Sequence, residues 1–508
     1  MAGLEGIFPI STQAGVKRDG TRFESNYYLD SLWCRFQRGK PRKIGGYRSV
    51  VDSFSGPVRG CHVDAKNAYN YVYGGSANVL EMITMDNTGA GSGITDRTPA
   101  GFITSVNNLW QFDTLYDAGG TVRRVIAHAG QNLCDITQST QTPIYYGDAN
   151  GFGNLTSIGT SVSGGVVSLF PYLLGLDNDG YVQWTPPNTM SFSGAGSGSA
   201  RIAPNKLIKG VRTRGGSGVS PSGLIWSLDE LYRASFSGGA TIFSFDYIGD
   251  TSLLSTSGVI EYNGRHFWPD LNGFKKFSGV IEDLPNDLNV NYFYDNVNRT
   301  CLQKVWGIKI PRYNELWWFW PKGNATECTD VIIFNVKEKT WYDTAWAADQ
   351  LARSCGIYSK AFDYPLMFGL DPNGASKYKL WQHEFGIDKI EGGMNSAIRS
   401  YFETSNISYC ASPGGQGWVG EDRWVELMRV EPDFVQSGPM TLTVRGNKYA
   451  QDAENYESVP FTFDPATGKI DMKEQCRQMT LRFESNTQGG NYQLGQTMMH
   501  LILGDGRQ

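Results

Sequence analysis

Between about residues 56 and 394 the chain is written in short apolar, aromatic-rich runs separated by Gly, Asn and Asp. Leu316-Trp317-Trp318-Phe319-Trp320 is followed by a polar turn, then by Asp330-Val331-Ile332-Ile333-Phe334-Asn335, then by Thr340-Trp341-Tyr342-Asp343. Val259-Ile260-Glu261-Tyr262 passes through Asn263-Gly264 into Arg265-His266-Phe267-Trp268. Leu366-Met367-Phe368-Gly369 passes through Asp371-Pro372-Asn373-Gly374 into Tyr378-Lys379-Leu380-Trp381. Short strands joined by such turns are hairpins, because Asn and Gly accept the positive φ that tight turns demand. Further strands are predicted at 69–73, 79–83, 109–112, 124–127, 173–176, 181–184, 224–227 and 231–234. Recurrence at roughly 35–60 residues is the mark of propeller blades. The expected fold is all-β: a β-propeller of about six or seven blades over 56–394. An irregular set of β-sandwiches is the competing architecture.

The two ends differ from this middle. Residues 1–55 are basic, with a strand at Leu32-Trp33-Cys34-Arg35-Phe36-Gln37, a turn at Arg38-Gly39-Lys40-Pro41 and a return through Arg42-Lys43-Ile44-Gly45-Gly46-Tyr47. From 395 to 508 the strands lengthen and alternate, with Met479, Leu481 and Phe483 on one face and Thr480, Arg482 and Glu484 on the other. This segment reads as a β-sandwich. A propeller closes on itself, so chain ends that leave it emerge near each other. The segments 1–55 and 395–508 are therefore expected to build one platform, with Leu32, Cys34 and Phe36 packing on the face of Met479, Leu481 and Phe483. Two Gly-Ala-Gly-Ser-Gly strings, at 89–93 and 194–198, read as hairpin tips.

Composition supports an all-β chain. Gly is 61 of 508 residues, aromatics are 13%, and long helical periodicity is nearly absent. The best helix candidate is short, Ala345 to Arg353. The net charge of −5 argues against a surface that grips nucleic acid as a whole. Eight cysteines without a C-x-x-C pair read as free thiols of a reducing compartment. No secretory leader is expected, and no run approaches the roughly 18 apolar residues that a membrane helix needs.

The residues offer little chemistry. The five histidines, His62, His128, His266, His383 and His500, stand far apart, and H-E-x-x-H, G-x-S-x-G and phosphate-loop motifs are absent. Asp177-Asn178-Asp179-Gly180-Tyr181-Val182-Gln183-Trp184 approaches a sialidase blade turn, but Gly follows Asp179 directly, so it reads as a hairpin turn. Glu282-Asp283 and Glu421-Asp422 are adjacent pairs, which point to opposite faces of a strand. Asp371 to Gly374 lacks the remaining oxygens of a calcium loop. No enzyme activity, metal or cofactor is expected. A glycan-binding or glycan-cleaving propeller, acting as a receptor-binding component, is the alternative function.

One cluster stands out. Arg35, Arg38, Lys40, Arg42, Lys43 and Arg48 fall within fourteen positions that hold no acidic residue. The first five are the candidate docking residues for an acidic protein partner, set against a merely solvated face. The surrounding string, Gly20-Thr21-Arg22 and then Leu32 through Tyr47, resembles the start of podovirus tail nozzle proteins, also called DNA-stabilisation or tail hub proteins. Arg477-Gln478-Met479-Thr480-Leu481-Arg482-Phe483-Glu484-Ser485-Asn486, with Gly489-Gly490-Asn491-Tyr492-Gln493-Leu494-Gly495, resembles their end. The middle matches only as a blade pattern. The resemblance implies a structural virion protein without catalytic residues, made and assembled in the host cytoplasm. It implies a homohexameric ring at the distal end of a short tail, docked on a tail adaptor and adjoining fibres or spikes. The ring would extend the DNA channel, retain the packaged genome and open for ejection. Six copies at −5 each carry a formal −30, so double-stranded DNA could pass through the lumen without sequence-specific adhesion.

Overall fold

The computed structural model describes residues 5–22, 24–66, 69–106, 108–130, 143–155, 162–213, 221–239, 241–346, 352–370, 378–408, 424–449, 451–452 and 456–504. Six consecutive four-stranded antiparallel sheets follow one another along the chain. Blade 1 spans 61–96, blade 2 109–155, blade 3 162–201, blade 4 207–250, blade 5 260–284 and blade 6 306–345. Blade 7 has only three strands of its own, Arg353–Ile357, Leu366–Leu370 and Tyr378–His383. Its fourth strand is Tyr47–Phe54, which pairs antiparallel with Tyr378–His383 and carries Lys389–Glu391 and Met394–Ser396 beyond it in the same sheet. The fold is therefore a β-propeller of seven blades among the described residues, sealed by a strand from the start of the chain.

This moves one boundary. Residues 47–54, assigned from sequence to the platform segment 1–55, belong to the propeller. The reason is the free edge of blade 7: an unpaired edge strand needs a partner, and Tyr47–Phe54 supplies it. The Ala345–Arg353 helix is also corrected at its ends, since Ala345 closes one strand and Arg353 opens the next; 347–351 lie outside the described residues. The only α-helix among the described residues is Val290–Asn296, which sends Phe293 into the core.

Among the described residues, six apolar clusters lie between successive blades, and a seventh joins blades 6 and 7 to the core of the platform. Leu316, Trp318 and Trp320 face blade 5, where they meet Ile260, Phe267 and Phe274. Trp317 and Phe319, one residue out of step, face blade 7 and the platform beside Met367 and Trp381. The strand Glu315–Trp320 is buried on both faces, so it reads as an unbroken apolar run rather than an alternating one. Phe54, Val72, Ile83, Phe368 and Leu380 fill the joint between blades 7 and 1.

The remaining strands interleave the two chain ends. Glu5–Pro9 pairs with Met498–Leu503, Asp30–Leu32 with Ser400–Glu403, and Lys40–Lys43 with Asn491–Leu494. Cys34 and Phe36 share a core with Met479, Leu481 and Phe483. Tyr28 links the two sides, with ring centroids 5.0 Å from Phe36 and 5.7 Å from Phe402, and Phe402 lies 5.3 Å from Phe483. The platform is tied to blade 6 by Arg18, whose Nη2 lies 2.9 Å from Asp343 Oδ2 and 2.7 Å from Asp30 Oδ1.

Candidate docking site at the basic hairpin

Cys34–Gln37 and Lys40–Lys43 form a hairpin whose two-residue turn is Arg38-Gly39, with φ of 54° and 71°. Two successive positive φ values define the turn type whose twist matches that of the strands, and Gly suits the second place. Arg at the first is strained. Glu338, in the turn between the last two strands of blade 6, offsets that strain. Its carboxylate accepts the Arg38 N–H at 2.6 Å and the Gly39 N–H at 3.2 Å.

The five candidate residues divide into two groups. Arg35 is fully buried and lies between two carboxylates. Its Nη1 and Nη2 donate to Glu384 at 2.9 and 2.5 Å, Nη2 reaches Glu315 Oε2 at 3.1 Å, and the guanidinium sits 3.6 Å above the Tyr313 ring. Glu315 also accepts from Trp317 Nε1 at 2.8 Å and from the Tyr342 hydroxyl at 2.7 Å. Burial opposes the Arg35 charge, but Glu315 and Glu384 outweigh it and hold its pKa above the ordinary value. Burial raises the Glu315 pKa, with Arg35 pulling it back. Lys43 is buried as well and donates to the Gly490 carbonyl at 2.7 Å; burial lowers its pKa to about 8 against the pull of Asp388. Neither side chain can face a partner. Arg35 rivets the hairpin to blades 6 and 7, and Lys43 ties it to the C-terminal strands.

Arg38 is exposed, and Lys40 and Arg42 are half-buried. Arg42 donates to Gln37 Oε1 at 3.0 Å and lies 5.7 Å from the Tyr313 ring. Beside them opens a cavity of about 270 Å³, floored by Tyr313 and walled by Arg38, Arg42, Arg312, Lys337 and Glu338. Arg312 and Lys337 come from blade 6, and both are exposed. Among the described residues no carboxylate lies within ion-pair distance of Arg38, Arg42, Arg312 or Lys337. Glu338 is engaged by the turn. The result is a concave cationic surface suited to carboxylate groups, with planar guanidinium donors for bidentate contact. Sequence reasoning missed Arg312 and Lys337 because they lie far from the hairpin in the chain; the Lys337-Glu338-Lys339 turn was the available signal.

A second cavity, of about 260 Å³, lies on the propeller axis between the first strands of several blades. Cys61, Gln111, Lys209, Ser257, Lys304 and Cys355 are among its lining residues. Lys209 donates to Gln111 Oε1 at 3.2 Å, and burial lowers its pKa to about 8 while Asp113 raises it. Among the described residues no group of three or more His, Cys, Asp and Glu side chains is gathered as metal donors. Glu421, Asp422 and the Asp371–Gly374 turn lie outside the described residues.

No protein-family model and no curated protein matches this chain. Among solved structures it is similar to Sqt1 of Saccharomyces cerevisiae, at 8% identity and a TM-score of 0.38, over 71% of this chain and 96% of that one. A likeness that loose carries no argument, and the propeller rests on the strand pairing described above. No helix among the described residues is long and apolar enough to cross a membrane.

Proposed function

We propose that this chain is the nozzle subunit of a short-tailed bacteriophage, a structural protein whose ring continues the DNA channel, retains the genome and opens for ejection. One observation carries the reading. The two segments that resemble that family, 32–47 and 477–495, lie more than 400 residues apart and form one unit: Lys40–Lys43 pairs with Asn491–Leu494, and Lys43 holds Gly490. A motif shared between distant segments has a common purpose when the segments fold together. Here that unit carries Arg38 and Arg42, which form a cationic rim together with Arg312 and Lys337 of blade 6, none of the four in an ion pair among the described residues. In this reading the rim meets an acidic adaptor or a neighbouring copy in a six-fold ring of the virion, assembled in the host cytoplasm, and the propeller carries no catalysis.

The test is an image of the assembled particle at low resolution, with the subunit tagged at an exposed propeller turn such as Asn263-Gly264. The expected result is six tags around the distal tail. Tags on the fibres alone, or a three-, five- or twelve-fold ring, would contradict the proposal. Cleavage of host surface glycan by the purified chain would favour the receptor-binding alternative instead.

A further inference from the structure

Two cysteines that are 294 positions apart meet at the joint of the ring. Cys61 opens the first strand of blade 1, and Cys355 lies in the first strand of blade 7. These strands lie side by side where the propeller closes, and the two sulfurs are 3.2 Å apart as free thiols. A disulfide needs about 2.05 Å between the sulfurs, so the pair must close by only about 1 Å. Both cysteines border the axial cavity, which gives a small oxidant access to them. They pack in the same apolar cluster as Phe54 and Phe368.

We propose that Cys61 and Cys355 are a redox latch that cross-links blade 1 to blade 7 from inside the ring. The ring is already sealed from outside, by Tyr47–Phe54 pairing with Tyr378–His383. A disulfide between the innermost strands closes the same joint at its other edge. The reactant is a low-molecular-weight disulfide. The Cys61 thiolate attacks one of its sulfurs, its S–S bond breaks, and one small thiolate leaves and takes up a proton. The Cys355 thiolate then attacks the Cys61 sulfur of the mixed disulfide and displaces the second small thiol. Two protein thiols are oxidised to one disulfide, and one small disulfide is reduced to two thiols. The latch does not depend on the proposed function. Closing a loop of this length removes freedom from the unfolded chain, so the oxidised protein resists unfolding more than the reduced one. The hydrogen bond to Cys355, followed by burial, keeps the Cys61 pKa above the ordinary thiol value, so exchange is slow and must be followed to equilibrium.

The experiment equilibrates the full chain with oxidised glutathione, blocks remaining thiols, and maps peptides by mass spectrometry with and without reductant. Melting temperature is measured on both forms, and on Cys61→Ser and Cys355→Ser. The expected result is a reducible Cys61–Cys355 peptide and a melting temperature higher by at least about 3 °C. Neither serine variant should gain that increment. Glutathione adducts without the cross-linked peptide, a cross-link to another cysteine, or a cross-link that leaves the melting temperature unchanged would overturn the latch. Should a serine variant fail to fold, the wild-type peptide map and melting shift decide alone.

Discussion

Arg35 shows how a residue's chemistry is set by its surroundings. Its charge is removed from water and returned by two carboxylates, a Tyr313 ring and the edge of the platform core. Buried ion pairs of this kind add little compared with an apolar replacement, but losing one partner strands the other charges. Arg35→Met should therefore lower stability by about 3–5 kcal/mol in denaturant titration, because Glu315 and Glu384 are left facing each other. A pH dependence follows with a defined sign. Burial already raises the Glu315 pKa, and removing Arg35 raises it further. A carboxyl with a raised folded-state pKa stabilises the fold when protonated and loses that contribution as pH climbs through the folded value. The deficit of Arg35→Met relative to wild type should thus be smaller near pH 5 than at pH 7, and an equal deficit at both would refute the stranded-carboxylate account. His383 behaves in the opposite sense. It accepts a hydrogen bond from Arg353 Nε at 2.9 Å, and burial, with that cation, holds its pKa well below 6.5. The unfolded chain takes up the proton first, so stability should fall as pH drops below about 6.5. His383→Gln should flatten that part of the stability profile; an unchanged slope would show that His383 does not cause it.

At the scale of elements, the Gly45-Gly46 step that follows the hairpin is a close approach of backbones. A Cβ at Gly46 would stand 2.2 Å from the Asp388 carbonyl oxygen, and one at Gly45 would stand 2.9 Å from Glu384 Cα. This step turns the chain from the hairpin into the blade 7 strand Tyr47–Phe54, beside the loop that carries Glu384. Gly46→Ala should lower the denaturation midpoint by an amount corresponding to about 1–3 kcal/mol, the usual range for overpacking, and loosen Tyr47–Phe54 in hydrogen exchange. Wild-type protection in that strand would mean the loop shifts aside without consequence. Across the blades, the one-residue alternation of Trp317 and Trp318 sends one indole to blade 7 and the platform and the other to blade 5. The strand Glu315–Trp320 therefore serves two joints at once, as ring closure requires.

For the whole molecule, the cationic rim is separable from the fold. Arg38, Arg312 and Lys337 are exposed, and their side chains make no ion pair among the described residues. Reversing them to Glu, together with Arg42→Glu, should change the melting temperature little, since exposed substitutions usually stay within about 0.5 kcal/mol each. Under the proposed nozzle function, incorporation into tails should fall at least about tenfold when four charge contacts are inverted, given that like charges repel where opposite ones attract. Normal incorporation of a folded variant would remove the rim from the docking role. Arg35 and Lys43 must be left out of that variant, because reversing them would unfold the hairpin and confound the result.

Many propeller strands were legible in the chain itself. Val72, Trp184, Trp226, Trp268 and Trp341 lie in short runs whose apolar and aromatic density announces strands, helped at Trp184 and Trp268 by bounding Asp-x-x-Gly or Asn-Gly turns, because pleat and turn preferences are local properties. The stretch from Leu316 to Thr340 was readable as hairpins for the same reason. Partnerships between distant residues were not readable. Arg35 and Arg38 lie three positions apart in one basic string, yet one is buried between carboxylates 280 and 349 positions away while the other points to solvent. Tyr47–Phe54 falls within the segment assigned to the platform, and only the open edge of blade 7 claims it for the propeller. Arg312 and Lys337 join the hairpin, and Cys61 meets Cys355, only when the ring closes. The sequence by itself determined where strands and turns form, since those depend on each residue and its near neighbours. The tertiary structure alone decided which charges are buried, which edges pair and which thiols touch, since burial and contact belong to the packed whole.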